Sequence, residues 1–351
     1  MNKSKKVLFL YSELADYFLS SLRSLQKLVD EIHVLHYPVN MEAPYDLNFP
    51  ENMHFYNVKK LNFFQLYKLT LEINPSIILC SGWIDKAYLK LVKKYKNKIP
   101  TVLLFDNQWK ASLKQGLGLL LSPLLLKNKF SNVWVTGSSS NFFAKKLGFS
   151  DDKILTGLYS ADTPKFSHLR QKYLDYKKNQ FPKVFLYVGR YVRYKGIFDL
   201  WNAFIELQSE NPTEWELWCL GTGEEFDNRI LHPKIKHFGF IQPLEMNKYL
   251  SRAGVYILPS IYEPWGVSVH EMAAAGFPMI LSEKVGSSEV FLKDNQNGYF
   301  IKSGNTKDIK DKMSKIINLK ELDLLNMGKI SYELSLKNSP KIWANKLISL
   351  L

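Results

Sequence analysis

Short apolar runs alternate with longer amphipathic segments along most of this chain of 351 residues. In the first half, runs with the length and composition of buried strands lie at residues 5–11, 31–37, 76–81, 100–106, 132–136 and 154–159. Segments with apolar residues at helical spacing lie between them, at residues 15–29, 63–73, 85–95 and 141–147. Strands that alternate with helices in this way predict an α/β domain with a mostly parallel sheet.

The second half repeats the alternation after a polar, basic stretch. Its strand patterns lie at residues 183–190, 215–220 and 255–258, and its helical patterns at residues 197–208, 267–275, 306–317, 320–336 and 340–351. The chain is longer than one hydrophobic core usually allows, so two domains are expected. We predict a first domain at residues 1–165, a linker at 166–182, a second domain at 183–335 and a final helical segment at 336–351.

The most informative stretch runs from residue 255 to residue 278, where a short apolar strand, a breaker pair and a helix follow one another. The first free N–H groups of that helix fall near Gly266 and Val267, and such a helix start attracts an anion. Glu263 lies in the loop before the helix, and Glu271 lies about one turn inside it. The two carboxylates indicate sugar chemistry, although Glu271 also fits an ordinary first-turn acid and Glu263 a solvated loop residue.

A second motif places basic residues at a strand end. Gly189 and Arg190 end one strand, and Lys195 precedes the next helix, so both charges lie at the edge where open α/β sheets bind ligands. A guanidinium with a nearby ammonium suits a diphosphate, and solvated side chains are the alternative. A further strand ends in Gly221-Thr-Gly223, and glycines there allow the backbone to approach a ligand.

The order and spacing of these motifs resemble the retaining glycosyltransferases of family 4, also called group 1, which have the GT-B fold and use nucleotide sugars. The motifs that carry the resemblance are Gly189-Arg190, Lys195-Gly196, Gly221-Thr-Gly223, Phe238-Gly-Phe240, Pro259-Ser260, Glu263 and Glu271 around Pro264-Trp265-Gly266, residues 272–278 and Asn297-Gly298. The resemblance implies an α/β protein of two Rossmann-like domains that face each other across a cleft. It also implies a C-terminal helix that crosses back to the first domain.

By this resemblance the second domain binds the donor. Arg190 and Lys195 would hold the diphosphate, Glu271 would bind the ribose hydroxyls, and Glu263 would face the transferred sugar. The other implied donor-binding positions are Gly189, Gly221, Gly223, Phe240, Ile241, Gly266 and Val267. Because charge develops as the bond to the diphosphate breaks, Arg190, Lys195 and Glu263 are candidate catalytic residues.

The first domain departs from the family pattern. Many relatives carry a glycine-rich loop after the first strand and a histidine after a later strand, and residues 11–15 and 105–109 lack both. Asp106 stands where that histidine would lie, which makes it a candidate catalytic and acceptor-binding residue. It equally fits a cap on the following helix, a common role of Asp. Asn107 and Trp109 are candidates for an acceptor-binding platform.

Charge and a leucine-rich segment point to a further partner. The chain has 47 basic and 33 acidic residues, a formal net charge of +14 that favours anionic surfaces. Residues 110–129 place leucines between lysines, a run too short for the roughly 20 residues of a membrane span but suited to a membrane interface. A buried helix kinked at Pro123 is the alternative. Membrane binding would favour a lipid-linked acceptor, whereas no motif indicates a nucleic-acid partner.

The remaining features set expectations for location and cofactors. The basic N-terminus leads into a short strand rather than a signal peptide, so we expect a cytoplasmic protein with a peripheral location on the inner face of the plasma membrane. Cys80 and Cys219 lie in apolar strand segments and are expected to be buried free thiols. Asp151 and Asp152 lack other clustered ligands, and histidines such as His33 fit packing positions. We therefore expect no metal cofactor.

Together these patterns predict a glycosyltransferase that moves a sugar from a nucleotide-sugar donor to a glycan or lipid-linked glycan. The resemblance implies UDP as the nucleotide, retention of configuration, and a role in bacterial surface polysaccharide or glycolipid synthesis. Two alternatives stay open. One is a nucleotide-sugar epimerase or hydrolase of the same architecture, which needs no acceptor. The other is a non-catalytic subunit that binds a sugar nucleotide or a membrane.

Overall fold

The computed structural model describes residues 4–38 and 53–351, so the first three residues of the basic N-terminal segment lie outside the described part. The chain divides into two compact units. Unit 1 comprises Met1–Ser160 together with Asn338–Leu351, and unit 2 comprises Ala161–Lys337.

Unit 1 is built on a parallel sheet whose described strands are β1 (Lys6–Leu10), β2 (Glu31–His36), β3 (Met53–Asn57), β4 (Ile77–Ser81), β5 (Thr101–Phe105), β6 (Asn132–Val135) and β7 (Ile154–Leu155). Their order in the sheet is β3-β2-β1-β4-β5-β6-β7. Leu8 and Leu10 pack on one face of β1, and Val7 and Phe9 pack on the other, so the strand is buried on both sides. Helices that cover both faces explain why this strand is apolar throughout.

The helices that follow these strands are α1 (Asp16–Leu25), α2 (Phe63–Ile73), α3 (Lys86–Tyr95), α4 (Leu113–Ser122) and α5 (Ser138–Lys146). Their starts follow local side-chain chemistry. Asn62 and Gln65 form a capping box on α2, and the Asp85 carboxylate accepts from the first free N–H groups of α3. The α/β class predicted from the sequence is therefore confirmed.

Unit 2 repeats the architecture with strands β8 (Val184–Val188), β9 (Glu216–Leu220), β10 (Ile235–Gly239), β11 (Val255–Leu258), β12 (Met279–Ser282) and β13 (Gly298–Ile301). All pairs are parallel, in the order β10-β9-β8-β11-β12-β13. Its helices are α6 (Thr163–Asn179), α7 (Ile197–Glu210), α8 (Asn247–Leu250), α9 (Val267–Ala274), α10 (Ser288–Phe291), α11 (Thr306–Ile317) and α12 (Glu321–Ser335).

The predicted linker at residues 166–182 is wrong, because most of it is helix α6 and belongs to unit 2. Asp162 caps this helix by accepting from the N–H of Lys165, and the helix packs on α9 and α12. Most of its side chains are polar and only a few, among them Phe166 and Lys177, are buried. The narrow buried stripe explains why the sequence resembled a linker.

The chain ends in α13 (Pro340–Ile348), which belongs to unit 1 and packs against α1. Trp343 is buried there, with 2% of its surface exposed. Its indole N–H donates to the Leu158 carbonyl at 2.7 Å, and its ring stacks on Trp134 with centroids 5.0 Å apart. The indole therefore satisfies both its polar and its apolar surface inside unit 1.

Residues 110–129 form α4 followed by a π-helical turn at Pro123–Lys127. The alternative of a buried helix is wrong, because most leucines of the segment face solvent. Among the leucines whose side chains are described, we call the exposed ones the leucine patch: Leu113, Leu117, Leu120, Leu121 and Leu125, with exposed fractions of 89%, 65%, 78%, 53% and 47%. Among the residues described, no helix is both long enough and apolar enough to cross a membrane. Cys80 and Cys219 are buried free thiols, as predicted.

A buried lysine lies under α9. Lys177 of α6 is 9% exposed, and its ammonium lies 3.9 Å from the centroid of the Phe277 ring. Burial lowers the pKa of Lys177 to about 7 from its ordinary value of 10.5. A desolvated cation–π contact stabilises the ammonium by only about 2 kcal/mol. The free-energy cost of removing the charge from water is therefore the larger effect.

We predict that Lys177→Met stabilises the protein at pH 7. Between pH 7 and pH 10 the unfolded chain binds a proton at Lys177 that the folded chain does not bind, so this group makes the wild type more stable as the pH rises. The substitution should therefore raise the free energy of unfolding at pH 7 by a few kcal/mol and flatten its rise with pH. Urea unfolding at several pH values measures both effects.

The matched control is Lys178→Met, at the exposed neighbour that pairs with Asp175. It should change stability little at any pH. A Lys177→Met protein that is less stable than the wild type at pH 7 would show that the buried ammonium is compensated in the fold.

Candidate active site

The candidate site of unit 2 follows from the order of its strands. The chain enters the sheet at β8, adds β9 and β10 on one side, and then returns to add β11 on the other side of β8. Parallel strands open their carboxyl ends on one edge, and the point where the order reverses is where α/β sheets bind ligands. The loops after β8 and β11 flank that point. Gly189, Arg190 and Lys195 lie in the first loop, and residues 259–266 form the second.

Lys195 and Glu263 form an ion pair across these two loops. Their side chains are 16% and 11% exposed, so the pair is largely removed from water. The loops are also joined through the backbone, because the Tyr194 carbonyl accepts from the N–H groups of Ile261 at 2.9 Å and Tyr262 at 3.2 Å. The structure therefore brings together two residues that the sequence assigned to different parts of a donor.

Arg190 extends from the same loop into solvent. Its guanidinium donates to the Tyr194 hydroxyl, and its carbonyl accepts from the buried Tyr187 hydroxyl at 2.8 Å. Burial is the main reason that the pKa of Tyr187 lies above its ordinary value, and the Glu263 charge adds to it. Tyr187 therefore stays a neutral donor that fixes the backbone of the loop. Sequence reasoning missed Tyr194, although an aromatic residue between basic residues was a usable signal.

The Gly-x-Gly loop after β9 packs against the loop after β8. A side chain at Gly221 would place its Cβ 1.9 Å from the Gly189 carbonyl oxygen, and one at Gly223 would place it 2.5 Å from the Tyr191 carbonyl oxygen. The N–H of Tyr191 donates to the Thr222 carbonyl at 2.8 Å. These glycines therefore allow two loops to approach each other, whereas the sequence interpretation had explained them by the approach of a ligand.

Helix α9 begins as predicted, with Gly266 at its N-cap and no side-chain cap on its first N–H groups. Gly266 has a φ of 87°, and a Cβ there would lie 3.1 Å from Cγ of Glu263. Gly276 follows the helix with a φ of 75° and gives it a left-handed ending. The free donors at Val267 and the positive end of the helix dipole thus lie beside the Lys195–Glu263 pair.

Glu271 is half-buried on α9, and its charge reaches the same phenol as that of Glu263. Tyr256 donates or accepts a hydrogen bond with the Ser268 hydroxyl at 2.8 Å. Burial raises the pKa of Tyr256, the Ser268 hydrogen bond opposes the shift, and the charges of Glu263 and Glu271 raise it further. Both carboxylates therefore act on one neutral phenol.

The remaining donor-side positions follow β10. Phe240 and Ile241 come directly after Gly239 and are half-buried. The neighbouring Phe238 packs its ring on Tyr249, with centroids 4.9 Å apart. All predicted donor-side loops thus lie at the carboxyl ends of four adjacent strands, β10-β9-β8-β11.

Two buried polar atoms in the loop after β11, Ser260 Oγ and Trp265 Nε1, have no hydrogen-bond partner within the described chain. An unpaired buried polar group costs about 1–3 kcal/mol. This loop therefore holds polar groups that a small rearrangement, a water or a ligand would stabilise.

The candidate acceptor residues lie in unit 1, after β5. Asp106 is half-buried, and the Tyr159 hydroxyl lies 3.5 Å from its carboxylate. The alternative that Asp106 caps the next helix is wrong, because Ser112 caps α4 by accepting from the N–H of Gln115. Asn107 is exposed. Trp109 packs on Phe143 with centroids 5.6 Å apart, so part of its ring belongs to the core of unit 1.

The Lys195–Glu263 pair gives a stability prediction. Lys195→Met or Glu263→Gln alone should lower the free energy of unfolding by roughly 3 kcal/mol, because each leaves a largely buried charge unpaired. The double variant should lose much less than the sum of the two, since neither charge remains. Urea unfolding of the four proteins measures this coupling.

The control cycle uses Lys183→Met and Glu214→Gln, an exposed pair in unit 2 with a 2.6 Å contact. Its coupling should stay below about 1 kcal/mol. Equal coupling in the two cycles would contradict a special role for burial at Lys195 and Glu263.

Part of the chain matches a model of a known protein family. Residues 172–333 match the family model for glycosyl transferases group 1. An uncharacterised glycosyltransferase of Methanocaldococcus jannaschii is 27% identical over 132 residues, which is 36% of this chain and 34% of that protein. The chain therefore spans about a third of the length of this curated relative.

A longer match is N,N'-diacetylbacillosaminyl-diphospho-undecaprenol alpha-1,3-N-acetylgalactosaminyltransferase of Campylobacter jejuni. It is 23% identical over 323 residues, which is 82% of this chain and 80% of that protein.

Among solved structures, HepE of Anabaena in complex with UDP and glucose has a TM-score of 0.73 at 14% identity, covering 98% of each chain. This likeness shows the fold, two parallel α/β units of the GT-B type. Residues 172–333, which carry all of the predicted donor-side residues, are thus the part of the chain that is similar to group 1 glycosyl transferases.

Proposed function

We propose that this protein is a glycosyltransferase that moves a sugar from a nucleotide-sugar donor, a UDP-sugar by preference, to a glycan or lipid-linked glycan. The observation that carries the proposal is the Lys195–Glu263 pair beside the uncapped start of α9. Cationic groups and free N–H donors suit a diphosphate, and a carboxylate beside them suits a sugar. The solved complex of HepE with UDP and glucose supports UDP as the first nucleotide to test.

Each residue has a distinct part in this proposal. Arg190 is exposed, its guanidinium is hydrogen-bonded to Tyr194, and in this proposal it binds the diphosphate oxygens. The N–H groups at the start of α9 add a second source of positive potential for the departing diphosphate. Glu271, about one turn further along α9, binds the ribose hydroxyls.

Glu263 faces the sugar in this scheme. Positive charge develops on the sugar ring as its bond to the diphosphate breaks, and a carboxylate stabilises that charge. Lys195 pairs with the same carboxylate and lowers its nucleophilicity. We therefore propose that the transfer takes place on one face of the sugar and retains its configuration. The departing phosphate takes the proton of the acceptor hydroxyl.

The leucine patch supports a second part of the proposal. In this part, the protein binds an anionic membrane surface and finds its acceptor there. Five exposed leucines in and after α4 are flanked by the exposed Lys110 and Lys127. Such a helix buries its leucines at the lipid interface while its lysines meet anionic headgroups. The net charge of +14 adds long-range attraction. The Campylobacter relative, whose name includes an undecaprenol diphosphate, makes a lipid-linked acceptor in bacterial glycan synthesis the natural candidate.

We expect one nucleotide family to stabilise the protein in a thermal-shift screen of UDP, GDP, ADP, TDP and CMP with their sugar conjugates. Arg190→Ala should abolish most of the thermal shift, because it removes the guanidinium that binds the diphosphate in this proposal. Arg252→Ala is the matched control, since Arg252 is exposed, lies in the same unit and precedes β11 at the opposite edge of the sheet. It should keep the shift.

Glu263→Gln should then retain nucleotide binding and lose transfer by orders of magnitude. Release of nucleotide from the sugar conjugate without any acceptor would instead indicate a hydrolase, and isomerisation of the sugar in the conjugate without release would indicate an epimerase. A nucleotide shift that survives Arg190→Ala would overturn the assignment of the diphosphate site.

Binding to anionic vesicles tests the membrane part separately. The wild type should sediment with vesicles of phosphatidylglycerol and phosphatidylcholine, and the bound fraction should be larger at low salt. The double substitution Leu117→Ser and Leu120→Ser should reduce the bound fraction at least several-fold. Leu231→Ser with Leu244→Ser is the control, because these leucines are 79% and 85% exposed in unit 2. Equal losses in both double variants would remove the leucine patch from the proposal.

A further inference from the structure

Three side chains with metal-binding atoms lie close together on β3 and β2, the edge strand of the unit 1 sheet and its neighbour. Glu31 and His33 lie two residues apart on β2, so their side chains share one face of the sheet. His54 lies on the edge strand β3, and the parallel register pairs it directly with His33. The candidate ligand atoms of these three residues all lie within 4.8 Å of one another.

Glu31 and His33 lie slightly closer together than two ligands of one metal ion. Nε2 of His33 lies 2.9 Å from Oε2 of Glu31. In a tetrahedral zinc site, bonds of about 2.0–2.2 Å place neighbouring ligand atoms about 3.3–3.5 Å apart. The pair would therefore need to widen by only about half an ångström to admit the ion.

The outer contacts of both residues are those that orient metal ligands. Without a metal ion, Nε2 of His33 donates to the Glu31 carboxylate. Nδ1 of His33 lies 3.1 Å from the Tyr56 hydroxyl, so a metal ion that displaces the Nε2 proton would leave Nδ1–H to donate to that hydroxyl. Lys6 holds Oε1 of Glu31 at 2.6 Å and leaves Oε2 free to face the histidine. Ligating histidines and carboxylates commonly have such hydrogen-bonded partners. Because His33 is only 4% exposed, its ring is also fixed by packing.

His54 supplies the adjustable third ligand. It is exposed, and its ring stacks on that of His33 with centroids 4.6 Å apart and an angle of 18° between the planes. Nearly parallel rings do not direct their nitrogens at one point, so His54 would have to rotate to bind the ion. Rotation of the imidazole about its terminal torsion has a broad energy minimum, and solvent exposure leaves room for it.

We propose that Glu31, His33 and His54 form a binding site for a divalent transition-metal cation, with Zn²⁺ as the preferred ion. Two imidazoles and one carboxylate match the ligands that zinc takes, and three protein ligands leave one position for water. The site lies in unit 1 and uses none of the candidate catalytic residues. Its effect is structural, because the ion cross-links the edge strand β3 to β2 and thereby ties residue 33 to residue 54.

The experiment uses the full chain without a histidine tag, stripped of metal by a chelator that is then removed. Titration calorimetry with Zn²⁺ should show one ion bound per chain, and the same ion should raise the melting temperature. His54→Ala should weaken Zn²⁺ binding by at least about tenfold and remove most of the thermal shift. Tyr56→Phe removes only an outer partner and should weaken binding by roughly tenfold.

His36→Ala is the matched control, because His36 lies on the same strand, three residues from His33, so that the alternation of side chains places it on the other face. This variant should bind Zn²⁺ like the wild type. The proposal is overturned if the wild type binds no Zn²⁺, or if His54→Ala binds it as tightly as the wild type does. His54 is exposed, so its variant should fold normally, and the melting temperature of the metal-free proteins checks this directly.

Discussion

The candidate site depends on the parallel direction of the strands in unit 2. Parallel neighbours cannot be joined by tight turns, so the chain must cross back over the sheet after each strand. Every strand therefore ends at the same edge, and the loops that follow β8 and β11 become neighbours. This is how Lys195 and Glu263, 68 residues apart in the chain, come to share an ion pair. The helix that carries Glu271 begins at this edge for the same reason.

Within that frame, backbone contacts make the site firm before any ligand arrives. Gly221 and Gly189 approach so closely that no side chain fits between them, and the Tyr194 carbonyl joins the loop after β8 to the loop after β11. The charged side chains are thus carried by loops that support each other. A site of this kind pays little ordering entropy on binding, which favours affinity through preorganisation. The exposed Arg190 is the more adaptable member of the set.

Local rules explain what the sequence could predict and what it could not. The start of α9 at Val267 and its ending at Gly276 follow from residues next to one another, so they were predictable. Helix α6 was missed because few of its side chains are buried, and the edge strand β3 was missed because only one of its five residues, Met53, is buried. The pairing of Lys195 with Glu263, and of His33 with His54, depends on contacts between loops and on strand register. Neither is encoded in a short segment.

The discontinuity of unit 1 has a consequence for synthesis on the ribosome. Trp343 fills the space beside Trp134, yet the whole of unit 2 is translated between them. At about 5–20 residues per second, that delay amounts to roughly 10–35 s. During this time the nascent unit 1 exposes the apolar surface that α13 later covers, whereas all of unit 2 has been translated before α13 is made. The unit that is translated first is therefore the one that is completed last, and its unfinished surface is a natural point of contact for chaperones.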